Sequence, residues 1–480
     1  MKGLGANEYL RRGSEALFVL AAFTLQTSIS VSAQSSTGQT RIRWEKLVYD
    51  DPSALIQETT VELAKNPKNA VALRMRSSAF YRNNEQEKGK ADAVAVLSVL
   101  GNPTAAEEFE AKCYAERRLE KHDEALLSCT KAIELDPKLA WAYYNRAKAH
   151  DGKKRYQQAV ADYTKAITLD PVFADAYDGR GNAFGLNNEI DKAIADYTKS
   201  IELQPKRAYG YFIRGHYHHQ RKDYDRAIAD ATKAIELDPK FAPAYYNRGT
   251  GYLRTGKYDL SVADFSKSIE IDPKLAAAYT NRGTAYSLAK EYDKAMADFT
   301  KAIELEPKEV SPYIGRANRY SETHEFVLAK ADYSKAIELD PRNTSSYYGR
   351  GRVYYDENQY DLAISDYTKV IELSPKDAWA YSGRGVSHHG KKQYDQAIAD
   401  YDKAIEFDSR NSSAYFNRGN AHLEKKEFNL AIADFTKAIE LEPKFPGSYH
   451  RRADAYEAKG EKILAEKDRL KIKELESQPK

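Results

Sequence analysis

The sequence is poor in cysteine and in net charge, and it lacks the short local patterns that mark catalytic or metal centres. It has two cysteines in 480 residues and a formal net charge of +3, with acidic and basic residues interspersed. Such a surface has no basic stripe for nucleic acid. No phosphate-binding loop, nucleophile elbow or zinc-ligand spacing occurs. We therefore expect no enzyme, no cofactor, no bound metal and no nucleic-acid partner.

What the sequence does contain is a fixed period. Ten positions stand 34 residues apart: Pro137, Pro171, Pro205, Pro239, Pro273, Pro307, Pro341, Pro375, Ser409 and Pro443. A sustained period of this length is the signature of a repeat architecture in which each unit packs against its neighbours.

One unit, residues 276–307, shows the structure that the period encodes. Tyr279, Gly283 and Tyr286 recur at helical spacing and predict a first helix. Spacings of three and four between residues 292 and 302 predict a second. The connecting segment, residues 287–291, is short and polar, so the helices should lie antiparallel. Pro307 should end the second helix, because proline disfavours the α conformation of the preceding residue.

Small residues recur where the two helices of a unit should approach each other. On the first helix they are Gly181, Gly215, Gly249, Gly283, Gly351, Gly385 and Gly419. On the second they are Ala159, Ala193, Ala227, Ala295, Ala329, Ala363, Ala397 and Ala431. With the periodic aromatic residues and prolines, these positions resemble the tetratricopeptide repeat. The chain departs from that pattern where Tyr replaces the usual leading aromatic residue and Arg replaces Leu.

The resemblance implies an all-α fold, an α-solenoid forming a right-handed superhelix of about twelve 34-residue helix-turn-helix repeats. We assign residues 104–445 to the tandem array, residues 51–103 to degenerate N-terminal repeats, and residues 446–480 to a terminal repeat and capping helix. The 36 residues between Pro67 and Pro103 predict a two-residue insertion.

The N-terminus is typical of an export signal. Basic residues precede an apolar run over residues 16–25, and Val31-Ser-Ala33 fits a cleavage site after Ala33. Residues 1–33 are therefore predicted to be a signal peptide and residues 34–50 a polar linker, in a protein that is periplasmic or extracellular. The alternative is a membrane anchor formed by residues 16–33.

The two cysteines, Cys113 and Cys129, fall in one unit, on helices predicted to face each other. A disulfide between them is possible, and so are two buried free thiols. An oxidising compartment would favour the disulfide.

Arginine and aspartate also follow the period. The arginines are Arg146, Arg180, Arg214, Arg248, Arg282, Arg316, Arg350, Arg384, Arg418 and Arg452. The aspartates are Asp162, Asp196, Asp230, Asp264, Asp298, Asp332, Asp366, Asp400, Asp434 and Asp468. Matched opposite charges predict a structural ladder of ion pairs, with an arginine row for anionic ligands as the alternative. The pattern leaves open whether each pair lies within a unit or joins two.

In the family that the chain resembles, first helices line a concave surface that binds ligands. The positions that this implies are Trp141, Tyr144, Asn145, Asn182, Phe212, His216, His219, Tyr246, Asn247, Asn281, Asn318, Tyr348, Arg352, Trp379, His389, Phe416, Asn417 and Asn420. Aromatic rings and amides suit an extended peptide, although packing against neighbours would also explain them. Paired histidines without a third ligand make a weak metal site.

These features favour a non-catalytic scaffold that binds a protein or peptide through its concave surface and is exported. A glycan-binding protein of a secretion system and a membrane-tethered assembly factor remain alternatives. Membrane association requires that the N-terminal segment stay uncleaved. The sequence does not specify the partner or the oligomeric state.

Overall fold

Helices make up nearly all of the structure. The computed structural model describes residues 36–477, with side chains from Thr40 onwards, so the predicted signal peptide lies outside the described residues. Within that range the chain forms 26 helices joined by short turns. None of these described helices has both the length and the apolar composition needed to cross a membrane.

The helices follow the 34-residue period. Two precede the regular array, α1 (Ser36–Asp50) and α2 (Pro52–Lys65). The first helices of the twelve pairs are α3 (Ala70–Arg82), α5 (Ala106–Arg118), α7 (Ala140–Gly152), α9 (Ala174–Leu186), α11 (Ala208–Gln220), α13 (Ala242–Arg254), α15 (Ala276–Leu288), α17 (Val310–Glu322), α19 (Thr344–Asp356), α21 (Ala378–Gly390), α23 (Ser412–Glu424) and α25 (Pro446–Lys459). The second helices are α4 (Gln86–Val99), α6 (His122–Leu135), α8 (Tyr156–Leu169), α10 (Ile190–Leu203), α12 (Tyr224–Leu237), α14 (Tyr258–Ile271), α16 (Tyr292–Leu305), α18 (Phe326–Leu339), α20 (Tyr360–Leu373), α22 (Tyr394–Phe407), α24 (Phe428–Leu441) and α26 (Lys462–Glu476).

The chain divides into two compact units, one ending at Ala278 and one beginning at Tyr279, so that the division falls within α15. In each unit the first helix of a pair packs against its own second helix, and that second helix packs against the first helix of the next pair. The prediction of an all-α array of helix-turn-helix repeats is therefore confirmed.

The N-terminal end departs from the predicted organisation. The polar linker predicted for residues 34–50 is wrong over its larger part, because residues 36–50 form α1, in which Trp44 and Val48 are buried. Apolar residues recur at helical spacing in this segment and give the helix one apolar face, although the overall composition is polar. The predicted two-residue insertion lies in the connection after α4, where residues 100–105 replace the four-residue connection of other repeats.

Each pair turns tightly between its helices. One residue of this turn is left-handed in every pair: Asn84, Glu120, Lys154, Asn188, Lys222, Gly256, Lys290, His324, Asn358, Lys392, Lys426 and Gly460. Glycine adopts that conformation at no steric cost, yet only two of the turns use it. The turn geometry is therefore imposed by the packing of the two helices. The second helix ends two residues before the periodic proline, as Leu305 does before Pro307.

The core repeats with the same period. In α16, Ala295, Phe299 and Ala302 are fully or almost fully buried, and their equivalents in the other pairs are buried too, except Arg469 of α26. A Cβ atom built on Gly283 would lie 2.9 Å from the ring of Phe299. A larger residue at this small position would therefore push the two helices of the pair apart.

Candidate binding surface on the first helices

The arginine and aspartate ladder pairs residues within each repeat. Arg146 donates from Nε to Oδ2 of Asp162 at 2.8 Å and from Nη2 to Oδ1 at 2.7 Å. The same two-bond pair joins all ten arginines to the aspartates sixteen residues later. An eleventh pair, Arg76 with Asp92, was not predicted from the sequence because the two-residue insertion shifts its register.

Most ladder arginines donate a third hydrogen bond, to a residue of the preceding repeat. Arg146 Nη1 donates to Oγ1 of Thr130 at 3.2 Å, and Arg316 Nη1 donates to Oγ1 of Thr300 at 3.2 Å. Hydrogen bonding to Asp162, opposed by burial, raises the pKa of Arg146 above its ordinary value. Because these guanidinium groups already bind carboxylates and hydroxyls of the chain, the ladder is a structural feature and does not supply anion sites.

The repeat formed by α5 and α6 has no ladder pair. Lys112 and Ser128 occupy the two positions, and the next residues along, Cys113 and Cys129, form a disulfide with their Cα atoms 5.2 Å apart. Both cysteines are fully buried. The covalent link thus joins the two helices of the one regular repeat in which the charged link is missing.

We call the second, fifth, sixth, ninth and twelfth residues of each first helix the first-helix face. All eighteen predicted ligand positions belong to it. Asn145, Phe212 and Asn247 are nevertheless buried, so their prediction as ligand contacts is wrong. The amide of Asn145 donates to Glu110 at 2.7 Å and accepts from Arg117 at 3.1 Å, which leaves no exposed polar atom. Asn247 donates to the carbonyl oxygen of Phe212 at 3.4 Å.

In residues 36–278 the chain's own rings occupy the first-helix face around Trp141. The indole of Trp141 lies 4.5 Å from the ring of Phe173 and 5.6 Å from that of Tyr144. The guanidinium of Arg74 lies 4.4 Å from its centroid, and Tyr49 of α1 stacks on it at 6.3 Å. Trp141 and Tyr144 therefore pack against protein groups.

Buried charges surround these rings. Arg74 binds Glu110 at 2.9 Å, with both side chains almost fully buried. Arg82 binds Asp175, whose other oxygen accepts from Arg207 at 3.2 Å. Although burial opposes it, these two arginines hold the pKa of Asp175 below its ordinary value. This network could not be predicted from the sequence, because its members are not periodic and Arg82 lies 93 residues from Asp175.

Burial also shifts the pKa values of groups on this face. Burial, and then the neighbouring Arg118, lower the pKa of Arg117 to about 10. The pKa of His216 falls to about 4 because the ring is buried and lies near His219. His219 itself contacts the carbonyl oxygen of Asn247 at 2.7 Å through Nε2. Between residues 36 and 477 no three or more histidine, cysteine or acidic side chains are grouped as a metal site.

The remaining predicted positions of residues 36–278, Asn182 and Tyr246, are half-buried. In residues 279–477 the first-helix face is more open. Trp379 is 60% exposed, and Asn318 and Arg352 are exposed as well. The other predicted positions here are half-buried: Asn281, Tyr348, His389, Phe416, Asn417 and Asn420. Asn318 accepts from the hydroxyl of Tyr333 at 2.5 Å and keeps its amide group for other contacts.

Comparison with family models places the chain in a known family. Models described as "Tetratricopeptide repeat" match residues 140–173, 174–207, 208–241, 242–275, 276–309 and 412–445. A model described as "TPR repeat" matches residues 351–392 and 389–426. Together the matches span more than half of the sequence. The chain belongs to the tetratricopeptide repeat family and is a repeat scaffold of the kind that mediates protein–protein interaction.

Solved structures of other repeat proteins are similar to the chain. The Cut9–Hcn1 hetero-tetramer of the APC/C matches with a TM-score of 0.46 and 14% identity over 88% of this chain and 96% of that one. YrrB, described as a TPR protein with an unusual peptide-binding site, matches with a TM-score of 0.33 and 26% identity over 38% of this chain and 95% of that one. MamA from Desulfovibrio magneticus RS-1 matches with a TM-score of 0.33 and 23% identity over 35% of this chain and 95% of that one. No curated protein sequence shows significant similarity to this chain.

Proposed function

We propose that the protein is an exported, non-catalytic scaffold that binds a protein or peptide through the first-helix face of residues 279–477. One contrast carries this proposal. Trp141 and Trp379 occupy the same place in their repeats, but Trp141 is covered by the chain's own groups while Trp379 is 60% exposed. Large exposed aromatic residues beside polar side chains are the usual anchors of a protein interface.

The residues of the first-helix face in residues 279–477 suit a polypeptide. Tyr348, Phe416 and Trp379 offer ring surface, while Asn318 and Arg352 offer exposed amide and guanidinium groups for main-chain carbonyls and carboxylates. YrrB is a family member whose own description names a peptide-binding site. Binding by such a surface needs no reacting group, which is why we propose a scaffold and no catalytic role.

Export is the second part of the proposal. The predicted cleavage after Ala33 precedes α1 by two residues, and a disulfide such as Cys113–Cys129 persists mainly in oxidising compartments. N-terminal sequencing of the protein isolated from its native cells tests this part. We expect a mature chain that begins at Gln34. A chain that retains the first 33 residues would favour the membrane anchor and a tethered assembly factor.

The binding surface is tested by chemical cross-linking in cells followed by affinity capture. We expect a Trp379→Ser, Arg352→Ala variant to lose its partner. A matched control is Leu362→Ser, which removes a large residue that is 48% exposed on a second helix. Circular dichroism must show that both variants are folded. Equal loss of partner from both variants, or from neither, would contradict the assignment.

A glycan ligand is a second candidate, because a half-exposed indole is also a good stacking surface for a sugar ring. The exposure of Trp379 is the observation that favours it. Quenching of tryptophan fluorescence by oligosaccharides, lost in Trp379→Ser, would identify a glycan. Quenching by peptides alone would identify a polypeptide.

A further inference from the structure

Helix α1 does not pack as the first helix of a repeat. In the regular pairs, a first helix packs along its own second helix and against helices of the neighbouring repeats. Longer contacts come from α3, where Arg74 reaches Trp141 of α7 and Arg82 reaches Asp175 of α9. Helix α1 instead reaches three later first helices. Arg41 lies 3.4 Å from Glu107 of α5, and Tyr49 stacks on Trp141 of α7 and under Arg82 of α3, whose guanidinium is 4.1 Å from the Tyr49 ring.

The contacts of α1 have the form of a bound amphipathic helix. Trp44 and Val48, one turn apart, are buried in a cluster that contains Leu55 and Met75. The indole nitrogen of Trp44 donates to Glu58 at 3.3 Å. At the two ends, Arg41 and Tyr49 make the polar and aromatic contacts with the first helices. Apolar anchors one turn apart, flanked by charge and ring contacts, are how a helix binds in a groove.

The groups that contact α1 are themselves held in place by other residues of the chain. Arg82, whose guanidinium stacks on the Tyr49 ring, is held by Asp175, which Arg207 also binds. Burial, and then the Asp175 carboxylate, raise the pKa of Tyr49 well above its ordinary value, so its hydroxyl stays protonated. The face of α3, α5, α7 and α9 thus presents oriented groups to one side of α1.

We infer that residues 36–50 are an intramolecular ligand: α2 and the first-helix face of residues 70–207 together form a binding site for an amphipathic helix, and α1 occupies it. The inference rests on the proposed function only in treating first helices as a binding surface. It concerns a different part of the chain from Trp379. A partner helix with a basic residue, two apolar anchors one turn apart and an adjacent tyrosine would compete with α1 for this site.

The test uses the full chain with a protease site inserted after Asp51, so that α1 can be cut free from the folded protein. The probe is a fluorescent synthetic peptide of residues 36–51. We expect it to bind the cut protein saturably and to exchange with the resident fragment. A peptide carrying Trp44→Ala and Tyr49→Ala should bind at least about tenfold more weakly, since it loses a buried anchor and a ring stack.

Failure of the probe to bind cut protein that retains its helical circular dichroism would overturn the inference, and so would equal binding of both peptides. If cutting unfolds the protein, hydrogen exchange in the uncut chain decides. Trp141→Ala should then increase exchange of the amides of residues 41–50 about tenfold and leave those of α25 and α26 unchanged. Unchanged protection of residues 41–50 would overturn the inference. Capture of partners through Trp379 is unaffected by either outcome, so the two proposals fail independently.

Discussion

Arg316 holds Asp332 through two parallel hydrogen bonds, from Nε to Oδ2 at 2.7 Å and from Nη2 to Oδ1 at 2.9 Å. Its third nitrogen donates to Thr300 of the preceding repeat. One side chain therefore ties together three helices, and the same arrangement recurs along the array. Its position is one where the family usually has leucine, so the chain has exchanged an apolar contact for a directional one.

The ladder predicts a strongly non-additive response to mutation. We expect Arg316→Ala to lower the free energy of unfolding by about 3 kcal/mol, because Asp332 is left buried without its partner. The double variant Arg316→Ala, Asp332→Ala should cost less than the sum of the two single variants. Urea denaturation followed by circular dichroism measures all four proteins. Additive losses would mean that the two residues do not stabilise the fold as a pair.

Two glycines that face the same ring should respond differently to alanine. A Cβ atom on Gly383 would lie 2.7 Å from the ring of Tyr367, whereas one on Gly351 would lie 3.4 Å from it. We expect Gly383→Ala to cost about 2 kcal/mol through overpacking. Gly351→Ala should stay within about 1 kcal/mol of the wild type, since alanine favours the helix. Thermal unfolding compares the pair, and equal losses would contradict this account of the packing.

The disulfide should replace the stabilisation that the ladder gives to other repeats. A 16-residue separation corresponds to roughly 3 kcal/mol on the chain-entropy estimate. We expect Cys113→Ser, Cys129→Ser to lose about that amount, and the wild type in excess reductant to unfold at the same denaturant concentration as the variant. Titration of the denatured, non-reduced protein with a thiol reagent should detect no free thiol. Two free thiols would contradict the bridge.

Asp151 predicts a pH dependence of stability. Burial raises its pKa to about 6, and its carboxylate accepts from the hydroxyl of Tyr163 at 2.6 Å. A carboxyl that holds its proton more tightly when folded contributes fully below about pH 4, its unfolded pKa, and loses that contribution as the pH rises through 6. We expect Asp151→Asn to be about 2 kcal/mol more stable than the wild type at pH 7.5, with the difference shrinking towards pH 4. A difference that does not change with pH would contradict the assignment.

The periodic part of the structure could be predicted from the sequence because the residues that determine each repeat's structure recur with the repeat. The spacing of Tyr279, Gly283 and Tyr286, the proline two residues beyond most second helices and the matched Arg and Asp positions all follow the 34-residue period. Such contacts lie within a repeat or between neighbours, so a single period contains the information that specifies them.

The contacts made by the first-helix face around Trp141 could not be predicted in the same way. The contact of Tyr49 with Trp141 and that of Arg82 with Asp175 join residues that are almost three repeats apart and belong to no periodic set. Trp141 and Trp379 look equivalent in the sequence, since each follows alanine and precedes Ala-Tyr. The residues that contact Trp141 distinguish the two rings: Tyr49 of α1, Arg74 and Phe173.

Site-specific photocross-linking in the native cells tests the central claim most directly. A photoreactive phenylalanine derivative replaces Trp379 in one protein and Leu362, on a second helix, in another. The account predicts that irradiation yields covalent adducts with a partner polypeptide from position 379 and none from position 362. Adducts of the same partner from position 362, with none from position 379, would show that binding does not use the first-helix face.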